Sequence, residues 1–74
     1  MLNPTFDPRI YVRILCFLRE EIAGGNLKPG APTPTIGALC ERFGCTRHTA
    51  GKALGLLAGE GEIVRYPGLG YYVP

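Results

Sequence analysis

A threonine, an arginine, a histidine and a second threonine stand in a row at residues 46–49, and a lysine follows at 52. Thr46 precedes an apolar series, Ala50, Ala53, Leu54, Leu57 and Ala58, spaced as one face of a helix. It has the position and the hydroxyl of a helix cap. The first turn of such a helix carries amides without intrahelical partners and a partial positive charge, which together attract a phosphate. Arg47 can donate two parallel hydrogen bonds to guanine O6 and N7, a pairing worth about 1–3 kcal/mol of discrimination. His48 adds a polar donor beside it, and Lys52, one turn on, a charge suited to a phosphate. Residues 44–54 hold Arg47 and Lys52 and no acid. Gly51 interrupts the polar side of this helix, where glycine costs about 1 kcal/mol relative to alanine. The chemistry of the set is recognition rather than bond-making. No histidine–carboxylate–nucleophile set can be assembled around the single histidine, and no phosphate-binding glycine loop precedes a helix, so an enzyme is not expected.

The elements that must hold this helix are legible from periodicity and punctuation. Asp7 and Pro8 suit the cap and first position of a helix over residues 8–23, with Ile10, Tyr11, Ile14, Leu15, Leu18 and Ile22 on one face. Gly24 and Gly25 end it. The stretch NLKPGAPTP is a turn-rich connector that can hold a short edge strand near Ala31. Thr35 caps a second helix over 35–43, whose buried stripe is Ile36, Leu39, Cys40 and Phe43, and Gly44 stops it. The third helix spans 47–59. The last segment changes period. A strand at 63–66, a turn at Pro67-Gly68-Leu69-Gly70 and a strand at 71–73 make a hairpin over 63–73. A lone hairpin is unstable, so Ile63 and one tyrosine must pack on the helices. Two short helices joined by a glycine turn and followed by a hairpin make a winged helix-turn-helix, mainly α with a small β-hairpin, as one domain over 1–74.

The totals are compatible with this. The chain has 74 residues, 46% of them hydrophobic, with a net charge of +2. That length is near the lower limit for a core without staples. The charge is too mild by itself to indicate nucleic acid, so its placement carries the case. Cys16, Cys40 and Cys45 are odd in number and lack zinc-ligand spacing, so no metal or cofactor is expected and reduced thiols indicate a cytoplasmic protein. Cys40 and Cys45 are core positions; Cys16 and Val12 fall outside the main apolar face of the first helix. The N-terminus has no signal-peptide pattern, and no apolar run approaches the ~20 residues that span a bilayer.

From Tyr11 to Val73 the sequence resembles the DNA-binding domain of the GntR family of bacterial transcription regulators. The matching motifs are the tyrosine and spaced Ile/Leu of the first helix, then Gly25-Asn26-Leu27-Lys28-Pro29-Gly30, then Pro32-Thr33-Pro34-Thr35, then FGCTRHTAGKAL at residues 43–54, then Gly68-Leu69-Gly70. The resemblance implies sequence-specific binding to double-stranded DNA, with Thr35, Thr46, Arg47, His48, Thr49 and Lys52 facing the operator. The wing residues Gly68, Leu69 and Gly70 would lie on the adjacent minor groove or backbone, with Arg65 near a phosphate. The implied role is transcription regulation of repressor type.

Three positions depart from the family in one direction. Gly37, Gly51 and Leu69 stand where relatives usually carry a basic residue. Fewer neutralised phosphates imply weaker and less salt-sensitive binding than in a typical member. Useful specificity then calls for a homodimer on a symmetric operator or for a protein partner. The loss of basic contacts also admits an alternative, a winged-helix protein-interaction module with weak or no DNA binding. Relatives carry a second domain that binds a small-molecule effector. This sequence stops after the wing, as a free-standing module or a piece of a longer regulator, and no effector is expected for it.

Overall fold

The computed structural model describes residues 7–74. Three helices, α1 (Pro8–Ala23), α2 (Ile36–Phe43) and α3 (Arg47–Gly59), precede two strands, β1 (Val64–Tyr66) and β2 (Gly70–Tyr72). Each helix starts on a side-chain cap. Asp7 accepts from the Arg9 amide, Thr35 from Ala38 and Thr46 from Thr49. Each cap satisfies one of the amides that a helix start leaves without a partner.

The turn between α2 and α3 depends on Gly44. Its φ of +64° is left-handed, and the amides of Gly44 and Cys45 both donate to the Cys40 carbonyl, at 2.8 and 3.3 Å. A left-handed residue that closes a helix in this way reverses the chain in a few residues, and glycine adopts it at no steric cost. The reversal brings Cys40 and Cys45 together against the core. Burial, followed by the neighbouring Cys40, pushes the Cys45 thiol up.

All three helices contribute to one core of Ile14, Leu15, Leu18, Leu39, Ala50, Ala53, Leu54 and Leu57, which Ile63 completes from the start of the hairpin. Ala50 and Ala53 are fully buried, and their small side chains let the helix backbones approach closely. The fold is a winged helix-turn-helix.

The wing is tied to the connector as well as to itself. Val64 pairs with Tyr72, Arg65 with Tyr71 and Tyr66 with Gly70, antiparallel. The Leu69 amide donates to the Tyr66 carbonyl at 2.9 Å across Pro67 and Gly68, whose φ is +80°. Proline followed by a left-handed glycine is the pattern of a type II turn. On the other edge of β2, Pro32 bridges Tyr72, the Thr33 amide donates to Tyr71, the Val73 amide to Ala31 and the Gly30 amide to Val73. The expected edge strand near Ala31 is thus this pairing. Val73 falls outside β2 and is buried instead, bonded to the connector.

Arg19 of α1 reaches across to Glu60 at 2.8 Å and Glu62 at 3.1 Å. The Arg19 guanidinium holds the Glu62 carboxyl below its ordinary value of 4.5. A carboxyl lowered in the folded state stabilises the fold above its unfolded pKa and ceases to as pH falls through the folded one. Stability is therefore expected to decline below about pH 4.5, and less so in Arg19→Ala; urea melts between pH 3 and 6 measure both.

Candidate nucleic-acid interface

The start of α3 is exposed at Thr46, Arg47 and His48, and again at Lys52. Helical spacing sets His48, Lys52 and Gly55 on the side opposite the buried series Ala50, Ala53, Leu54 and Leu57. Thr46 combines two features. Its side chain caps α3, and its residue is exposed, so it marks the point where the first turn of the helix meets solvent. Arg47 is the first helical residue after that cap.

Thr49 does not belong to this surface. It is 1% exposed, its hydroxyl accepts from the Asp7 amide at 3.2 Å, and it lies 3.3 Å from the Thr46 hydroxyl. The expectation that Thr49 contacts an operator is corrected on that ground. Its role is to fasten the start of α1 to the start of α3, which fixes the direction in which Arg47 and His48 project. Residues 7 and 49 lie 42 positions apart, and nothing in the local sequence pairs them. Asp7 also holds Arg9, with an ion pair of 3.1 Å, which keeps the Asp7 carboxyl below its ordinary range. The Arg9 side chain is 80% exposed. It stands at the same end of the molecule as Thr46, a cation that the sequence reading passed over.

Between α2, α3 and the wing lies a cleft of about 400 Å³ lined by Thr35, Ile36, Gly37, Arg47, Gly70 and Tyr71, with Leu54 and Pro34 completing it. It brings Thr35, Arg47 and Gly70, expected site residues from three separate elements, to one opening. The Thr35 hydroxyl there accepts from Ala38 at 3.0 Å. Arg65, Gly68 and Leu69 are exposed on the wing, Leu69 at 73%. Arg65 shares a strand face with Tyr71, whereas Tyr66 and Tyr72 lie on the opposite face, their rings 5.6 Å apart and edge-on. The wing thus carries its arginine on the side of the cleft and its exposed aromatic rings on the other.

Gly51 sits differently from its sequence placement. It is half-buried, and a Cβ added there would meet Ile36 Cδ1 at 3.8 Å, an ordinary contact. It faces α2 beside the cleft rather than the open polar side. Gly51→Ala is expected to stabilise the domain by up to about 1 kcal/mol, because alanine fits and glycine weakens a helix interior. A higher urea midpoint with unchanged DNA affinity would mark Gly51 as drift; a loss of affinity would mark a close approach of DNA.

Residues 10–73 match the family described as bacterial regulatory proteins, gntR family. The chain belongs to this family. Among gntR-family relatives it is similar to the HTH-type transcriptional repressor NagR of Bacillus subtilis (strain 168), 38% identical over 97% of this chain. It is also similar to the mannosyl-D-glycerate transport/metabolism system repressor MngR of Escherichia coli (strain K12), 41% identical over 86% of this chain. The chain spans 30% and 27% of the length of these two proteins. Among solved structures, the AraR DNA-binding domain in complex with operator ORR3 superposes with a TM-score of 0.83 at 31% identity, covering 88% of this chain and 78% of that one. YtrA from Sulfolobus acidocaldarius, a GntR-family transcription factor, gives 0.72 at 38% identity, covering 85% and 53%. No described helix is long and apolar enough to cross a membrane.

Proposed function

We propose that this domain binds operator DNA in a sequence-specific manner and acts in transcription control as a repressor. The observation that carries the reading is the exposed first turn of α3, where Thr46, Arg47 and His48 stand together, with Lys52 one turn on and no acid between them. A helix start of this kind fits the major groove, with its first residues at base edges. Arg47 reads a base, His48 donates beside it, and Lys52 and Arg65 take phosphates. Thr35 stands at the cleft beside Arg47. The wing tip of Gly68, Leu69 and Gly70 lies along the neighbouring minor groove. The likeness to an operator-bound AraR domain supports the same placement. Reduced thiols in Cys16, Cys40 and Cys45 fit a cytoplasmic setting.

Selection of bound sequences from a random duplex pool tests the reading, followed by amide shifts on titration with the selected site. Shifts grouped at residues 46–52 and on the wing are expected. A pool that yields no enriched sequence, with no shifts at low salt, would transfer the surface to a protein partner. The exposed apolar wing residues Tyr66 and Leu69 are the observation that favours that second reading.

Leu69 in place of a basic residue gives a graded prediction. Leu69→Arg is expected to tighten operator binding and to steepen the fall of log K with log salt by about 0.9, the value for one more neutralised phosphate. Fluorescence anisotropy across a salt series measures it. An unchanged slope would show that the wing tip does not reach a phosphate.

A further inference from the structure

Away from the recognition surface, an open groove of about 500 Å³ runs between α1 and α2. Val12, Arg13, Cys16 and Glu20 of α1 form one wall and lip, and Phe17 and Phe43 line it with their rings edge-on, centroids 5.5 Å apart. The Arg42 guanidinium lies 4.3 Å from the Phe17 ring centre. Val12 is 53% exposed, and Cys16, Arg13 and Glu20 are exposed as well. Among the described residues Arg13 and Glu20 are in no ion pair with one another or with any third group.

The positions of these two charges are specific. Arg13 and Glu20 are seven residues apart, two helical turns, so they share one stripe of α1 about 10 Å apart along its axis. Between them lie Cys16 and Phe17. A stripe with a cation at one end, an anion at the other and an apolar centre is complementary to itself when reversed. An isologous contact requires this property, since each partner must offer the same patch to the other.

We infer that this groove is occupied by a second copy of the chain, with the two α1 helices antiparallel about a two-fold axis passing between positions 16 and 17. In that arrangement Arg13 of each copy meets Glu20 of the other. The exposed Val12 and the Phe17 and Phe43 rings are covered, and Cys16 faces Cys16 of the second copy beside the axis. Arg42 lies at the edge of the contact. Charge pairs at a solvated rim are individually weak, so the free domain associates weakly and the contact tells most when two copies are held close together. None of Arg47, His48, Lys52 and Arg65 lines the groove, so the second copy leaves the recognition surface open.

Sedimentation equilibrium of the full chain under reducing conditions, without nucleic acid, tests the contact. Its result bears on self-association alone, whatever the outcome of DNA binding. The wild-type chain is expected to dimerise with rising concentration, more strongly at low salt. R13E and E20R should each weaken the dimer by at least about tenfold, because each replaces two attractive pairs with two repulsive ones. An equimolar mixture of R13E and E20R should recover association, since the paired charges are then opposite again. A short bis-maleimide should join Cys16 to Cys16, identified by peptide mapping. Both substituted positions are exposed, and circular dichroism confirms that the variants keep their helix. The inference is overturned if the wild-type chain stays monomeric at millimolar concentration and low salt. It is equally overturned if folded R13E and E20R dimerise like the wild type, or if their mixture does not recover.

Discussion

Arg47→Ala is expected to weaken binding to a selected operator by roughly 5- to 150-fold and to relax the choice of base at one position, the equivalent of ~1–3 kcal/mol for a bidentate arginine–guanine pair. The size of the effect follows from position. Arg47 is the first residue of α3 after the Thr46 cap, exposed, and at the cleft it shares with Thr35 and Gly70. It is not part of the core, so the thermal midpoint should hardly move. Lys52→Ala is the control. Loss of a phosphate contact weakens all sequences about equally and reduces the salt slope by about 1, without changing the selected site. If Arg47→Ala selects the same sites with the same affinity, the base-reading role belongs to another residue.

The second large effect is on stability. Leu54→Ala should cost about 2–5 kcal/mol in urea or thermal unfolding, the range for emptying a leucine site in a packed core. Leu54 is 1% exposed. A 74-residue domain has a total stability of roughly 4–11 kcal/mol, so the variant sits at the edge of folding. Leu54 also borders the cleft beside Arg47, Ile36 and Tyr71. The cavity would therefore open directly behind the exposed start of α3. At temperatures where part of the population is unfolded, apparent DNA affinity should fall in proportion to the folded fraction. An unfolding free energy within about 1 kcal/mol of wild type would mean that the site collapses around the missing atoms.

How much of this was legible in the sequence depends on the range of the interaction. The helices are local objects, and their ends are written in single residues: Asp7, Thr35 and Thr46 cap, and Gly44 reverses the chain. Apolar spacing placed Leu39, Ala50, Ala53, Leu54 and Leu57 inside, where the structure has them. The winged helix-turn-helix followed from their order. What escaped depends on distant partners. Thr49 carries the same hydroxyl as Thr46 and occupies the same first turn. Only Asp7, packed against it, marks it as buried, and that pairing has no signature in either stretch. Gly51 was assigned to the polar side because glycine has no side chain to declare a face; the position of Ile36 declares it. The cleft itself is a product of three elements meeting, so its residues could be named singly but not as a group. The connector's strand was legible only as a location near Ala31, since its partner, β2, lies some 40 residues away.

That last pairing bears on how the chain acquires its shape during synthesis. The segment at Gly30–Ala31 emerges early from a ribosome, before α2 and α3, yet the carbonyl and amide that it bonds belong to Val73. Its backbone groups must therefore remain hydrated while the three helices assemble, and they are sealed only when residue 73 has cleared the exit tunnel. Ile63, which completes the core, is likewise a late arrival. A nascent chain stalled before the second strand leaves the apolar surface that the hairpin covers open to solvent, and α3 is then packed only from the side of α1 and α2.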